Sequence, residues 1–330
     1  MLFIDNNNIT DPRINLAIEE YALKHLDIEQ TYLLFYINEP SIIIGKNQNT
    51  VEEINADYVD EHGIHVVRRL SGGGAVYHDL GNLNFSFITK DDGDSFHDFK
   101  KFTDPVVKAL KKLGLHAEMS GRNDILVNGK KISGNAMFST KGRMFSHGTL
   151  MFSSEIENVV AALNVKMDKI QSKGIKSIRS RVTNIKDHLE NKELGMEEFK
   201  QLLLSYLFEE FATIPRYELT EKDWEMIHKI SAERYQNWEW NYGKSPASNV
   251  ELSNRFTGGS VDIKLHIVKG VMKECKIYGD FFGVGDVTDI EQRLIGTRYD
   301  RGEIEAVLAD IDMQYYFGAV SREEFLDLLY

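Results

Sequence analysis

A second cysteine is missing. Cys275 is the only one in 330 residues, so no internal disulfide can form, and this usage fits a reducing cytoplasm. No apolar run is long enough to span a bilayer. The opening Met-Leu-Phe-Ile-Asp-Asn-Asn-Asn has no basic stretch followed by an apolar block, so no secretory signal is expected. Positive charge is short: 39 Lys and Arg face 51 Asp and Glu, a net −12 that argues against an extensive nucleic-acid surface. The common chemical fingerprints are absent too. There is no G-x-x-x-x-G-K-[ST], no complete G-x-G-x-x-G, no H-E-x-x-H or cysteine pair for a metal, and no G-x-S-x-G nucleophile elbow.

What is present is a chain of 42% hydrophobic and 27% charged residues, enough to bury a substantial core in one large or two ordinary domains. The stretch 66–84 stands out. An apolar run, Ile64 to Val67, reads as a buried strand and ends in Arg68 and Arg69, whose side chains point to opposite faces of a strand. Ser71 and the triplet Gly72–Gly74 follow. Glycines usually only punctuate structure. Here they directly follow two charges that need partners, and bare backbone N–H groups can converge on an anion. A site for an anionic, partly apolar ligand is therefore expected.

A second block, 121–138, reads as a β-hairpin with arms Asp124–Val127 and Lys131–Phe138 about an Asn128-Gly129 turn. From pattern alone Lys131 is a solvated edge residue, although Gly134 would admit a close neighbour. A strand follows over 143–152, with His147-Gly148-Thr149 in its middle. Residues 166–181 carry six basic side chains against one acid, either a solvated loop or a flap closing over phosphate.

Other strands are expected at 2–5, 32–37, 42–44 and 85–89, and a further hairpin at 261–278. Helices are expected after Asp11-Pro12, from Asn49-Thr50 to Gly63, over 96–113 and 155–163, near 196–211 and 221–232, and in three C-terminal stretches. Cys275 reads as a buried structural cysteine. The inventory of Arg69, glycine amides, Lys131 and a basic loop suits stabilisation of charge on phosphate rather than covalent catalysis.

The run Arg-Arg-Leu-Ser-Gly-Gly-Gly-Ala-Val-Tyr-His-Asp-Leu-Gly-Asn-Leu-Asn, followed by Gly-Arg-Asn-Asp-Ile, Lys-Ile-Ser-Gly-Asn-Ala and His-Gly-Thr-Leu, resembles the signatures of lipoate–protein ligases. Lys173-Gly-Ile-Lys-Ser-Ile-Arg-Ser-Arg and Trp238-Glu-Trp-Asn-Tyr-Gly resemble further stretches of that family, so the likeness spans nearly the whole chain.

The resemblance implies an α/β (α+β) biotin/lipoate ligase-type mixed sheet related to class II synthetase cores. Residues 1–245 would form the catalytic domain and 246–330 a small α+β accessory domain. It implies activation of lipoate with ATP and Mg²⁺ to lipoyl-AMP, then transfer to a lysine of lipoyl-domain acceptors. Those acceptors would be 2-oxoacid dehydrogenase subunits and the glycine cleavage H protein. A cytoplasmic monomer with no nucleic-acid or membrane partner is expected.

Carried over by motif, Lys131 is the catalytic residue. Arg69, Gly74, Ala75, Val76, Tyr77, Asn82, Asn123, Asp124, Lys131, Lys173 and Arg179 would meet the nucleotide, with Asp124 also near Mg²⁺. Arg69, Ser71, Gly72, Gly73, His78, Lys131, Ser133, Gly134, His147, Gly148 and Thr149 would meet lipoate. The alternatives are a transferase using a carrier-bound acyl donor, or a lipoyl-adenylate-binding protein without turnover. The lack of any cysteine before residue 275 disfavours a thiol nucleophile.

Overall fold

The apolar runs and alternations become strands in a computed structural model, which describes residues 1–96, 98–121, 123–163, 181–242, 250–268, 270–299 and 301–329. Fourteen strands are described: β1 (Leu2–Ile4), β2 (Tyr32–Ile37), β3 (Ser41–Ile44), β4 (His65–Arg68), β5 (Val76–His78), β6 (Asn82–Lys90), β7 (Ala117–Ser120), β8 (Asp124–Val127), β9 (Lys130–Thr140), β10 (Arg143–Met151), β11 (Arg216–Tyr217), β12 (Val250–Phe256), β13 (Gly259–Val268) and β14 (Val271–Gly279). The described residues form two compact units. One comprises Met1–Ile43, Glu53–Val67 and Val76–Asn237. The other comprises Ile44–Glu52, Arg68–Ala75 and Trp238–Tyr330.

The first unit is built on an eight-stranded sheet in the order β11-β1-β2-β6-β10-β9-β8-β7. The sheet is mixed: β1 runs parallel to β2 and β11, and the pairs from β2 across to β7 are antiparallel. β2 reads Tyr-Leu-Leu-Phe-Tyr-Ile, a continuous apolar strand covered on both faces. One cover is the helix Pro12–His25. Asp11 caps it by accepting from the Arg13 N–H at 2.8 Å, and Pro12 opens its first turn. This helix lies against β2, β6 and β10 and against the helix Glu221–Ile230. There the Tyr21 hydroxyl donates to Asp223 at 2.5 Å. The helix Phe99–Lys112 packs on β7, β9 and the helix Met196–Leu207.

The hairpin β8–β9 turns through Asn128 (φ 50°) and Gly129 (φ 76°), as a tight primed turn requires. The helix expected from Asn49 to Gly63 is two: Thr50–Glu53, then Ala56–His62. Asn55 restarts it by accepting from the Tyr58 N–H, and Gly63 ends it at φ 61°.

In the second unit, β12-β13-β14 form an antiparallel sheet. Its apolar face joins the helices Thr288–Leu294, Arg301–Val307, Met313–Phe317 and Arg322–Leu329 around one core. β12 and the helix Met313–Phe317 are additions to what the pattern showed. Cys275 is buried in that core, and burial pushes its thiol up to about 12. Among the described residues no helix is long and apolar enough to cross a membrane.

Residues 44–52 and 68–75 are tied together by the Lys46 N–H to Ser71 carbonyl bond at 2.8 Å and the Arg69 N–H to Ile44 carbonyl bond at 2.9 Å. They are tied to the C-terminal module by the Gly279 N–H, which donates to the Asn47 carbonyl at 2.6 Å.

Candidate active site

In the first unit, register places the motif residues on one sheet face. Tyr36 lies opposite Asn84, Asn84 opposite Thr149, and Gly134 opposite Asp124. The Gly134 N–H donates to the Thr149 hydroxyl at 3.2 Å, which joins the two halves. Directly opposed residues share a face, so these five form a row across β2, β6, β10, β9 and β8.

Lys131 reaches this row. Its Nζ lies 2.7 Å from Asp124 Oδ1. A Cβ placed on Gly134 would sit 3.2 Å from that Nζ, so the ammonium rests over bare backbone. Behind it, the Thr183 N–H donates to the Lys131 carbonyl at 3.0 Å and fixes the strand.

Neighbouring polar groups lock the same region. The side chain of Asn123 donates to the Asn135 carbonyl at 2.6 Å, and the Asn135 side chain returns a bond to the Asn123 carbonyl at 2.9 Å. Asn135 also donates to the Ser133 hydroxyl at 3.2 Å. Asn82 donates to Asn84 at 3.0 Å, and Asn84 donates to the Tyr36 carbonyl at 3.2 Å. A Cβ on Gly148 would strike the Asn135 side chain and the Phe85 ring, so glycine is required there.

His147, two residues before Thr149, shares its face. Its Nδ1 lies 2.9 and 3.1 Å from the two carboxylate oxygens of Glu19, both residues being buried. A carboxylate only accepts, so Nδ1 carries the proton. His78 on β5 is held differently, with Nδ1 3.0 Å from the side-chain nitrogen of Asn38. Val76 and Tyr77 precede it on the same strand. Burial, then the nearby Asp79, pushes the Tyr77 phenol up to about 12, so it stays a neutral donor at neutral pH.

The glycine loop belongs to the second unit. Arg69 is 5% exposed, and its guanidinium donates to the Ser71 hydroxyl at 3.1 Å and to the Gly72 and Gly74 carbonyls at 2.6 and 2.8 Å. Arg68 donates to the carbonyls of Gly45, Lys46 and Gln48 at 2.9, 3.1 and 2.6 Å, to that of Trp240 at 2.9 Å, and to the Thr50 hydroxyl at 2.6 Å. Burial lowers it to about 10, still charged at neutral pH. Main-chain oxygens therefore supply the partners that two charges at a strand end demanded.

Gly73 has φ 91°, and a Cβ there would meet the Phe282 ring at 2.9 Å. One on Gly72 would meet the Phe281 carbonyl at 2.7 Å, while Gly74 borders open space and leads into Ala75.

Thus Lys131, Asp124, Asn123, Ser133, Gly134, His147, Gly148, Thr149, Asn82, Val76, Tyr77 and His78 fall in the first unit, and Arg69, Ser71–Gly74 and Ala75 in the second. Lys173 and Arg179 lie outside the described residues. Sequence reasoning passed over Tyr36, Asn84, Glu19 and Asn38. Only Asn84 left a trace, as the second of two asparagines spaced i, i+2 on an otherwise apolar strand.

Comparison with known proteins places this geometry. Residues 11–208 match the lipoyl protein ligase A/B catalytic domain, and residues 245–329 match the bacterial lipoate protein ligase C-terminus. The lipoate-protein ligase LplJ of Bacillus subtilis is 66% identical over the full length of both chains. The bi-partite lipoate protein ligase of Thermoplasma acidophilum, solved in a study of an archaeal lipoylation system and its E2 lipoyl domain, is 31% identical. It superposes with TM-score 0.66 over 76% of this chain and 98% of its own. A lipoate-protein ligase A structure with bound ATP is 30% identical, with TM-score 0.62 over 74% and 97%. The lysine over glycine, the glycine loop and the mixed sheet thus occur together in a chain that belongs to the lipoate–protein ligase family.

Proposed function

We propose that the chain joins lipoate to protein lysines in two steps at the sheet face around Lys131. A lipoate carboxylate oxygen attacks the α-phosphorus of ATP, and pyrophosphate leaves. The acceptor lysine amine then attacks the acyl carbonyl of lipoyl-AMP, and AMP leaves as the amide forms. Both steps build negative charge, first on the phosphoryl oxygens and then on the carbonyl oxygen. A fixed ammonium beside both reduces that cost, and the position of Lys131 over Gly134 is the observation that carries the reading.

Arg69, Ser71, Gly72, Gly73, His78, Ser133, Gly134, His147, Gly148 and Thr149 are the proposed lipoate side. Gly74–Tyr77, Asn82, Asn123 and Asp124 are the proposed nucleotide side. Asp124 offers one partly exposed carboxylate beside Asn123. That suits Mg²⁺, which takes one or two carboxylates and fills its shell from phosphates and water. When bound, the ion would neutralise polyphosphate charge. Release from Asp124 would free Lys131 to turn to substrate.

Cys275, buried and with its thiol pushed up to about 12, is no nucleophile. Residues 1–245 are taken as the catalytic part and 246–330 as accessory. The acceptors are lipoyl domains of 2-oxoacid dehydrogenases and the H protein, met in the cytoplasm by a monomer.

The test is incubation of the full chain with ATP, Mg²⁺, lipoate and an apo lipoyl domain, read as acceptor mass. A lipoyl mass increment that requires ATP is expected. An increment equally large without ATP, from a carrier-bound donor, would overturn the reading.

A further inference from the structure

We propose that Asn38 is a positioning residue that fixes which nitrogen of His78 carries the proton, and that Asn15 and Asn6 in turn fix Asn38. The inference rests on the reading above, in which His78 lines the acyl and phosphate end of the site.

Four buried side chains, Asn6, Asn15, Asn38 and His78, form a continuous relay. The Asn15 side-chain nitrogen lies 2.9 Å from the Ile9 carbonyl and 3.3 Å from the Ile37 carbonyl. Carbonyl oxygens only accept, so this end of Asn15 is its NH₂ group. Asn6, itself donating to the Ile9 carbonyl at 2.9 Å, donates to the other end, Asn15 Oδ1, at 2.8 Å. The orientation of Asn15 is thereby set by main-chain carbonyls at one end and by the Asn6 side chain, itself fixed on the Ile9 carbonyl, at the other. Its NH₂ also donates to Asn38 at 2.9 Å, so the facing atom is Asn38 Oδ1. The far end of Asn38 is then its NH₂, which meets His78 Nδ1 at 3.0 Å. A donor faces Nδ1, so Nδ1 accepts, and the neutral ring keeps its proton on Nε2.

No step of this chain contains an ionisable group other than the histidine. A second proton on Nδ1 would set N–H against N–H in a buried place. With Nδ1 accepting, His78 presents its Nε2–H as a hydrogen-bond donor rather than a base. That suits the chemistry: a lipoate carboxylate needs no proton removed before it attacks phosphorus, while the acyl and phosphoryl oxygens need donors as charge builds. His147 is held the other way round, with its Nδ1–H on Glu19.

The experiment is a long-range ¹H–¹⁵N correlation spectrum of the full chain labelled at histidine nitrogen near neutral pH. The His78 signals are identified by their loss in His78→Gln. The expected wild-type pattern is Nε2 protonated and Nδ1 bare. In Asn38→Asp, a carboxylate that only accepts should draw the proton to Nδ1 and reverse the pattern. The kcat for ATP-dependent lipoyl transfer should fall about ten- to a hundredfold, as expected for a misoriented buried donor.

A protonated Nδ1 in the wild type, or an unchanged pattern in Asn38→Asp, overturns the relay. A reversed pattern with unchanged kcat overturns its catalytic use. A wild type that shows the expected tautomer yet transfers no lipoyl group sinks the functional reading and leaves the relay standing.

Discussion

Lys131 holds Asp124 through an ion pair in which both side chains are more than a third exposed. A pair so open to water contributes about 0–1 kcal/mol to stability, so its worth lies in placement rather than in folding. Lys131→Ala should therefore melt within a few degrees of wild type while losing about a hundredfold or more in ATP–pyrophosphate exchange, the scale of removing a charge-stabilising donor. Near-normal exchange would refute its role. Gly134→Ala is the subtler probe. The added methyl would meet Lys131 Nζ at 3.2 Å and Cε at 3.4 Å. The ammonium must shift, so kcat should fall with little change in KM for lipoate. A changed KM with normal kcat would mean the methyl acts on ground-state binding instead.

The hairpin that brings Lys131, Asp124 and Gly134 together was legible from its Asn128-Gly129 turn, whereas pattern alone left Lys131 a solvated edge residue and only the motif resemblance pointed to it as a site. Glu19 and Asn38 were not, because their partners lie 128 and 40 residues away and an isolated buried acid or amide leaves no pattern.

At the level of elements, period and punctuation carried most of the reading. β2 lies over 32–37 as expected, and the Asn128-Gly129 turn lies where the dipeptide placed it. β12 escaped because Asn254 interrupts the apolar series Val250, Leu252, Phe256, which packs only partly buried on the core, and too short an alternation remains to read as a strand. The break at Asn55 escaped because an asparagine within a helical pattern reads as a tolerated residue until its side chain is seen capping the next turn.

Helix docking makes its own prediction. Burial alone would raise Asp223. Hydrogen bonds from Tyr21, from the Thr220 main chain and side chain, and from Tyr217 together hold it below the usual carboxylate value of 3.8. A carboxylate depressed in the folded state stabilises fully above its unfolded value and loses that contribution as pH falls through the folded one. Wild type should thus lose stability on acidification below about pH 4. Asp223→Asn should be less stable at pH 7 by roughly 1–3 kcal/mol and lose less on going to pH 3, as urea unfolding at both pH values would report. Parallel losses in the two proteins would show that other carboxylates govern the acid limb.

For the whole molecule, chain order and spatial grouping part company. Residues 44–52 and 68–75 share a compact unit with 238–330, although more than 160 residues intervene. No local signal could disclose that, because the partners lie so far apart in the chain: the Gly279 N–H on the Asn47 carbonyl, and the Phe281 carbonyl beside Gly72. Arg68 adds the staple, through the Trp240 carbonyl at 2.9 Å and the Asn241 carbonyl at 3.3 Å. Truncation after residue 245 should accordingly do more than remove an appendage. It strips cover from the glycine loop, so the remaining chain should melt several degrees lower, each lost kcal/mol being worth about 2–4 °C at this size. An unchanged melting temperature with an intact glycine loop, read by hydrogen exchange at 68–75, would count against that view.

The same interlock governs what can be exchanged between relatives. A chimaera that borrows only the C-terminal eighty residues from a cousin pairs a foreign Phe281–Phe282 corner with a native Gly72–Gly73 floor. Grafts that carry all three segments together keep matched surfaces. Swaps along this chain are therefore best cut by spatial neighbourhood rather than at a single seam.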